Sequence, residues 1–164
     1  LGLYQGHYTR SMYEKDLELI RTDYKRFALI VAEGLLFQNS PQHARNFTGT
    51  ADDIRARILN KRNDPIAQGL IQGMVDITEE HMAANYEYWS TMAGSDFRTV
   101  LPEIDVPALI LYADPGSAYS PATAAYMKSQ LPNAALMPIY GCTHMAASEN
   151  PMQWRGCIAA FAYS

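Results

Sequence analysis

Val106-Pro107-Ala108-Leu109-Ile110-Leu111-Tyr112 is apolar at every position, the composition expected of a strand covered on both faces of a parallel sheet. Pro115-Gly116 breaks the run, Ser120-Pro121 supplies an N-cap and a first-turn proline for a helix to about Leu131, and Pro132-Asn133 turns the chain into a second short strand, Ala135-Leu136-Met137-Pro138-Ile139. Strand, helix and strand in that order form a crossover unit, so the fold class expected is α/β with a parallel sheet. A last helix from about Pro151 carries Trp154, Ile158 and Phe161 at helical spacing, an apolar stripe suited to packing on that sheet.

Upstream the texture is helical. From Tyr13 to Leu35 the apolar residues Tyr13, Leu17, Ile20, Tyr24, Phe27, Val31 and Leu35 recur at helical steps with Glu14, Glu18, Arg21 and Lys25 between them, which predicts one long amphipathic helix. Thr50 and Asp53 have the spacing of a capping box for a helix to about Leu59. Asp64-Pro65 opens another, with Ile66, Leu70, Met74 and Ile77 on one face. Thr78-Glu79-Glu80 opens a fourth, with Met82, Tyr86, Trp89 and Met92 along one face until Gly94-Ser95-Asp96 ends it. The chain therefore divides into helical residues 1–95 and an α/β part, residues 96–164.

Composition sets the outer limits. Among 164 residues, 48% are hydrophobic and 18% charged, which suits a packed globular core. A net charge of -4 and a pI near 5.5, with no basic stripe, remove the electrostatic basis for binding nucleic acid. No apolar run approaches the ~18 residues that span a bilayer, and the start lacks a basic stretch followed by an apolar one, so no membrane partner and a cytoplasmic location are expected. The two cysteines, Cys142 and Cys157, lie in no C-x-x-C or His-rich setting, so neither a metal nor a cofactor nor a disulfide is expected. The first residue is Leu1 rather than Met, a hint that the chain begins inside a longer product.

Three strings together resemble the C-terminal third of the α/β-hydrolase family. The I-x-V-P-x-L-I-L strand is matched by Ile104 to Leu111 and the L-P-N-A turn by Leu131-Pro132-Asn133-Ala134. The G-x-x-H-x-x-x-x-E-x-P-x-x-[F/W] string is matched by Gly141-Cys142-Thr143-His144, Glu149-Asn150-Pro151 and Trp154. The resemblance implies a helical cap or lid over residues 1–95, the last strands and helices of the core over 96–164, and His144 as the catalytic base on a strand-end loop. Read without its flanks, a lone histidine is more often a loop residue satisfied by hydrogen bonds. The flanking string sets His144 apart from His7, His43 and His81, which are read as surface or packing residues.

Family members commonly hold the triad acid in a G-x-x-D loop after the first of these strands. Here the stretch Ala113-Asp114-Pro115-Gly116-Ser117-Ala118-Tyr119 puts Gly116 or Ser117 at that position and leaves Asp114, directly after the strand, as the nearest substitute. Asp114 is equally readable as a turn aspartate bonding the Pro115-Gly116 backbone, and some relatives take the acid from the strand preceding the lid. No G-x-S-x-G elbow and no glycine-rich oxyanion segment occur. Because the family's order is nucleophile, acid, histidine, the nucleophile and about five strands are expected upstream of Leu1, in a separate chain or the same precursor.

The implied function is hydrolysis of an ester, lactone or similar acyl bond in a small hydrophobic substrate, under a lid containing Phe27, Phe37, Met74, Tyr86 and Trp89. Most of those side chains are also what ordinary helix packing requires. The alternatives are a relative cleaving carbon-carbon or carbon-halogen bonds, and a non-catalytic hydrolase scaffold that binds a ligand or partner.

Overall fold

The computed structural model describes residues 10–37, 46–76, 79–115 and 119–163. Five helices come first: α1 (Arg10–Thr22), α2 (Tyr24–Phe37), α3 (Ala51–Lys61), α4 (Pro65–Val75) and α5 (Glu79–Gly94). After a short 3-10 turn at Leu101–Glu103 follow β1 (Ala108–Pro115), α6 (Pro121–Gln130), β2 (Ala134–Cys142), α7 (Ala146–Glu149) and α8 (Pro151–Ala162). The helices up to Ser95 group into one compact unit and the residues from Asp96 onward into another.

In the helical unit, the single helix expected over 13–35 is two helices that meet at Asp23. The Asp23 carboxylate accepts the backbone N–H of Arg26 at 3.2 Å, an N-cap contact for the helix that follows. Backbone bonds Asp23 to Leu19 (2.8 Å) and Phe27 to Asp23 (3.0 Å) carry the i to i-4 pattern across the junction, so the chain continues in helical sense through the break. Amphipathicity also stops there. Phe27-Ala28-Leu29-Ile30-Val31-Ala32 leaves the middle of α2 no polar face, and all six of these residues are buried, as suits a stretch that is hydrophobic all round.

Glu33 completes this buried surface and is met by Arg57 of α3 in a two-pronged pair, with both N–O distances 2.6 Å. Such fork-to-fork geometry satisfies a carboxylate with little exposure to water. The Thr50–Asp53 capping box forms as its spacing predicts: Asp53 N–H donates to the Thr50 hydroxyl and Thr50 N–H to the Asp53 carboxylate. Asp64 accepts from the N–H groups of Ile66 and Ala67, both at 2.9 Å, with Pro65 opening α4. On α5, Met82, Tyr86 and Trp89 pack against Ile20, Tyr24, Phe27, Ala28 and Val31, with Trp89 edge-on to Phe27 at 5.7 Å. Phe27, Met74, Tyr86 and Trp89 therefore serve the core of this unit.

In the second unit β1 and β2 pair in parallel, from Ala108 opposite Ala134 to Asp114 opposite Tyr140, with α6 as the crossover. Alternation along β1 sends Ala108, Ile110 and Tyr112 to the face covered by Ala124 and Met127 of α6 and by Leu131. Leu111 and Ala113 go to the other face, with Ile139, Ala146, Trp154 and Cys157.

Three details depart from the strand reading. Full cover of β1 is not seen: Ile110 is its one buried residue among those with described side chains, while Leu109, Leu111, Tyr112 and Ala113 are half-buried. Val106 precedes the strand and is exposed, and Ile158 of α8 is 45% exposed rather than packed on the sheet. Among the described residues the sheet has two strands, a narrow face for its flanking helices to pack on. Finally, β2 runs on past Ile139 to Cys142, through a bulge where the register jumps from Asp114–Tyr140 to Pro115–Cys142. Gly141, the residue skipped, has φ +69, a left-handed conformation that glycine adopts without a Cβ clash.

The outer edge of β2 is closed by a side chain. Gln153 of α8 donates through Nε2 to the Pro138 carbonyl at 3.0 Å and accepts through Oε1 from the Tyr140 N–H at 3.0 Å. Its amide thus takes the place that a neighbouring parallel strand's N–H and C=O would take opposite Ile139. Asn150 fixes that amide with a bond from Nδ2 at 3.0 Å, and Pro138 has no N–H to leave unpaired.

Candidate functional site

The end of β2 is built to release a loop in one direction. After the Gly141 bulge, Cys142 returns to the interior, where its thiol donates to the Tyr140 carbonyl at 3.3 Å and packs beside Ile139 and Ala146. Burial, and then the charge of Glu149, push the Cys142 thiol pKa above its ordinary value, so it stays protonated. Cys142 and Cys157 are both free thiols.

Thr143 leaves the sheet and is seized at once. Its N–H donates to Glu149 Oε2 at 2.6 Å, and its hydroxyl lies 2.9 and 3.0 Å from the two carboxylate oxygens. The Met145 carbonyl accepts from the N–H groups of Ser148 and Glu149, both at 2.9 Å, which winds the chain into the single turn of α7. His144 stands inside this closed loop, one residue after Thr143.

His144 lines a cleft of about 430 Å³. The walls on one side come from Ile110, Tyr112, Ala124 and Met127, and on the other from Leu111, Ala113, Ala146 and Trp154, with Tyr119 and Ser120 nearby. His144 is exposed to the cleft it lines, yet the surrounding protein desolvates the ring enough to hold its pKa below the ordinary 6.5. The neutral imidazole therefore prevails at neutral pH, which is the form that can accept a proton. The Ser120 hydroxyl is engaged as the N-cap of α6, accepting from Thr123 N–H at 3.3 Å.

Asp114 lies within β1 rather than after it, half-buried and opposite Tyr140. It is not among the described residues that line the cleft. Gly116 and Ser117, where the family's acid would fall, lie outside the described residues, as do His7 and His43. His81 is exposed on α5, in the helical unit. Among the described residues no group of three or more His, Cys, Asp or Glu side chains could hold a metal ion, and no helix is long and apolar enough to cross a membrane. The sequence reading missed the grip of Glu149 on Thr143; its one trace there is the glutamate of the G-x-x-H-x-x-x-x-E string.

No protein-family model matches the chain, and no curated protein matches it in sequence. Solved structures do. A hydrolase from Oleispira antarctica superimposes with a TM-score of 0.68 at 20% identity, over 99% of this chain and 50% of that one. A hydrolase from Pseudomonas aeruginosa PA01 gives 0.66 at 14% identity, over 94% of this chain and 50% of that one. The likeness is one of fold, and the chain spans about half the length of these two hydrolases.

Proposed function

We propose that this chain is the C-terminal half of an α/β-hydrolase that cleaves an ester, lactone or similar acyl bond, with His144 as general base. The observation that carries the reading is an imidazole placed just past the carboxyl end of a parallel strand and lining an apolar-walled cleft. In this mechanism His144 takes the proton of an attacking hydroxyl and returns it to the leaving group. Asp114 is the acid proposed to orient the other ring nitrogen, from its place near the carboxyl end of β1.

The nucleophile comes from a segment outside these residues, and the shape of the cleft supports where that segment sits. Ile110 and Tyr112 point to one face of β1 and Leu111 and Ala113 to the other, yet all four line the same hollow. A hollow touching both faces passes around the strand's open side or over its end. A parallel strand of the accompanying segment lying there would cover the half-buried β1 side chains and bring its own carboxyl end toward His144. The space left beside Tyr119, Met127 and Trp154 suits a small hydrophobic acyl group.

The test is labelling of the purified protein with a serine-directed fluorophosphonate, in wild type and in His144→Ala. The expected result is one labelled serine outside these 164 residues and a rate of labelling and of p-nitrophenyl acetate turnover reduced about 10²- to 10⁴-fold in the variant. Equal rates in the two proteins remove His144 as base and leave a binding scaffold as the better account.

A further inference from the structure

Glu149 is conspicuous because its carboxylate grips a neighbour six residues back. It takes the Thr143 N–H at 2.6 Å, and both its oxygens lie within 3.0 Å of the Thr143 hydroxyl. Only His144 to Ser148 lie between the two ends of this clasp. A charged acceptor bonded to a backbone N–H is among the stronger hydrogen bonds available to a loop. Here it fixes Thr143, the residue directly before His144.

Directly after His144 the loop's backbone is held less tightly. The Met145 N–H reaches the Thr143 hydroxyl at a long 3.4 Å, and α7 is a single turn whose N-cap residue, Met145, makes no side-chain cap. One helical turn is marginal by itself. The residue directly before His144 is therefore held by Glu149.

We propose that Glu149 is a positioning residue for His144: by clasping Thr143 through its N–H and hydroxyl, it aims the imidazole into the cleft. This rests on the reading of His144 as general base. It assigns no chemistry to Glu149, which binds the loop rather than the reacting atoms. Misplacing a catalytic group by about 1 Å can cost on the order of 10²-fold in rate, whereas substrate affinity, set by the cleft walls, should hardly change.

The experiment compares Glu149→Ala, Glu149→Gln, Thr143→Ser and His144→Ala in the protein as purified. Turnover of p-nitrophenyl acetate gives kcat and KM, and NMR gives the His144 ring resonances, which do not depend on finding a substrate. Glu149→Ala is expected to lower kcat about 10- to 100-fold with KM within about twofold and to move the ring resonances toward those of a free histidine. Thr143→Ser keeps the hydroxyl and Glu149→Gln keeps an acceptor for the Thr143 N–H, so both should recover most of kcat and the native ring shifts.

If Glu149→Ala leaves kcat within twofold while His144→Ala abolishes turnover, the positioning role is overturned and the base survives. If His144→Ala retains turnover, the base reading fails and the positioning role with it. If the ring resonances of Glu149→Ala match wild type, or if Glu149→Gln and Thr143→Ser fall as far as Glu149→Ala, the clasp does not aim the ring.

Discussion

The two sides of the sheet are finished in different ways. Along β2 the Gln153 amide occupies the hydrogen-bonding positions next to Pro138 and Tyr140, and Pro138 brings no N–H to offer a neighbour. Along β1 the described residues provide no strand on the side away from β2, the side chains other than Ile110 are half-buried, and a hollow runs against both faces. Natural sheets close the edges they mean to keep and leave open those that another strand will use. The difference gives the sheet a direction: it ends at β2 and continues, if at all, from β1.

Ways to break this contrast range from large effects to small. Ile139 is wholly buried in β2 beneath the Gln153 bridge, so Ile139→Ala should lower stability in denaturant unfolding by about 2–5 kcal/mol. Leu111, half-buried in β1, is the sharper probe. With a covering strand in the purified protein, Leu111→Ala should cost about 2 kcal/mol or more; a cost below about 0.5 kcal/mol, the range of surface substitutions, would mean that this side of β1 faces water.

Gln153→Ala removes two bonds to the β2 backbone and should cost about 1–2 kcal/mol. It should also make the protein self-associate with rising concentration in analytical ultracentrifugation, since the Pro138 carbonyl and Tyr140 N–H are then free to pair with another chain. A variant that stays monomeric and fully stable would show that the amide is not what closes this edge.

The smallest effect is on pH dependence. The His144 pKa is held below 6.5 in the folded chain by desolvation, so the unfolded chain takes up the proton first as pH falls. Stability should be unaffected well above pH 6.5 and decline as pH drops through it, and His144→Gln should remove that part of the decline. The acid limb of kcat/KM should likewise fall below pH 6.5, because the base stays neutral to lower pH than a free histidine. An acid limb above 6.5 would contradict desolvation as the controlling influence.

What could be read from the chain alone follows the range of the forces involved. The strand-helix-strand order was legible because its signals are local: a continuous apolar run, Ser120-Pro121 and Pro132-Asn133. The Thr50–Asp53 box was legible for the same reason, as both partners sit within one turn. The break at Asp23 was not, because the apolar spacing runs unbroken from Tyr13 to Leu35 and the deciding contact is one carboxylate on the Arg26 N–H. The sheet's narrowness was hidden too, since an apolar run shows that a strand wants cover without showing what covers it. At the candidate site, the G-x-x-H string was local enough to point to the strand-end loop on which His144 lies, while the Gln153 bridge spans 13 and 15 residues and leaves no pattern in the sequence.

The bulge at Gly141 makes the site sensitive to parity. In an uninterrupted strand the inward places after Ile139 would fall on 141 and 143, but the skipped residue gives the inward place to Cys142 instead. Were Gly141 instead to enter the ladder as an ordinary strand residue opposite Pro115, every later side chain would turn to the opposite face. Thr143 would then meet the interior instead of Glu149. The direction in which the chain carries His144 away from the sheet is thus settled by one residue that the ladder skips, and the bulge works as a frame correction for the loop beyond it.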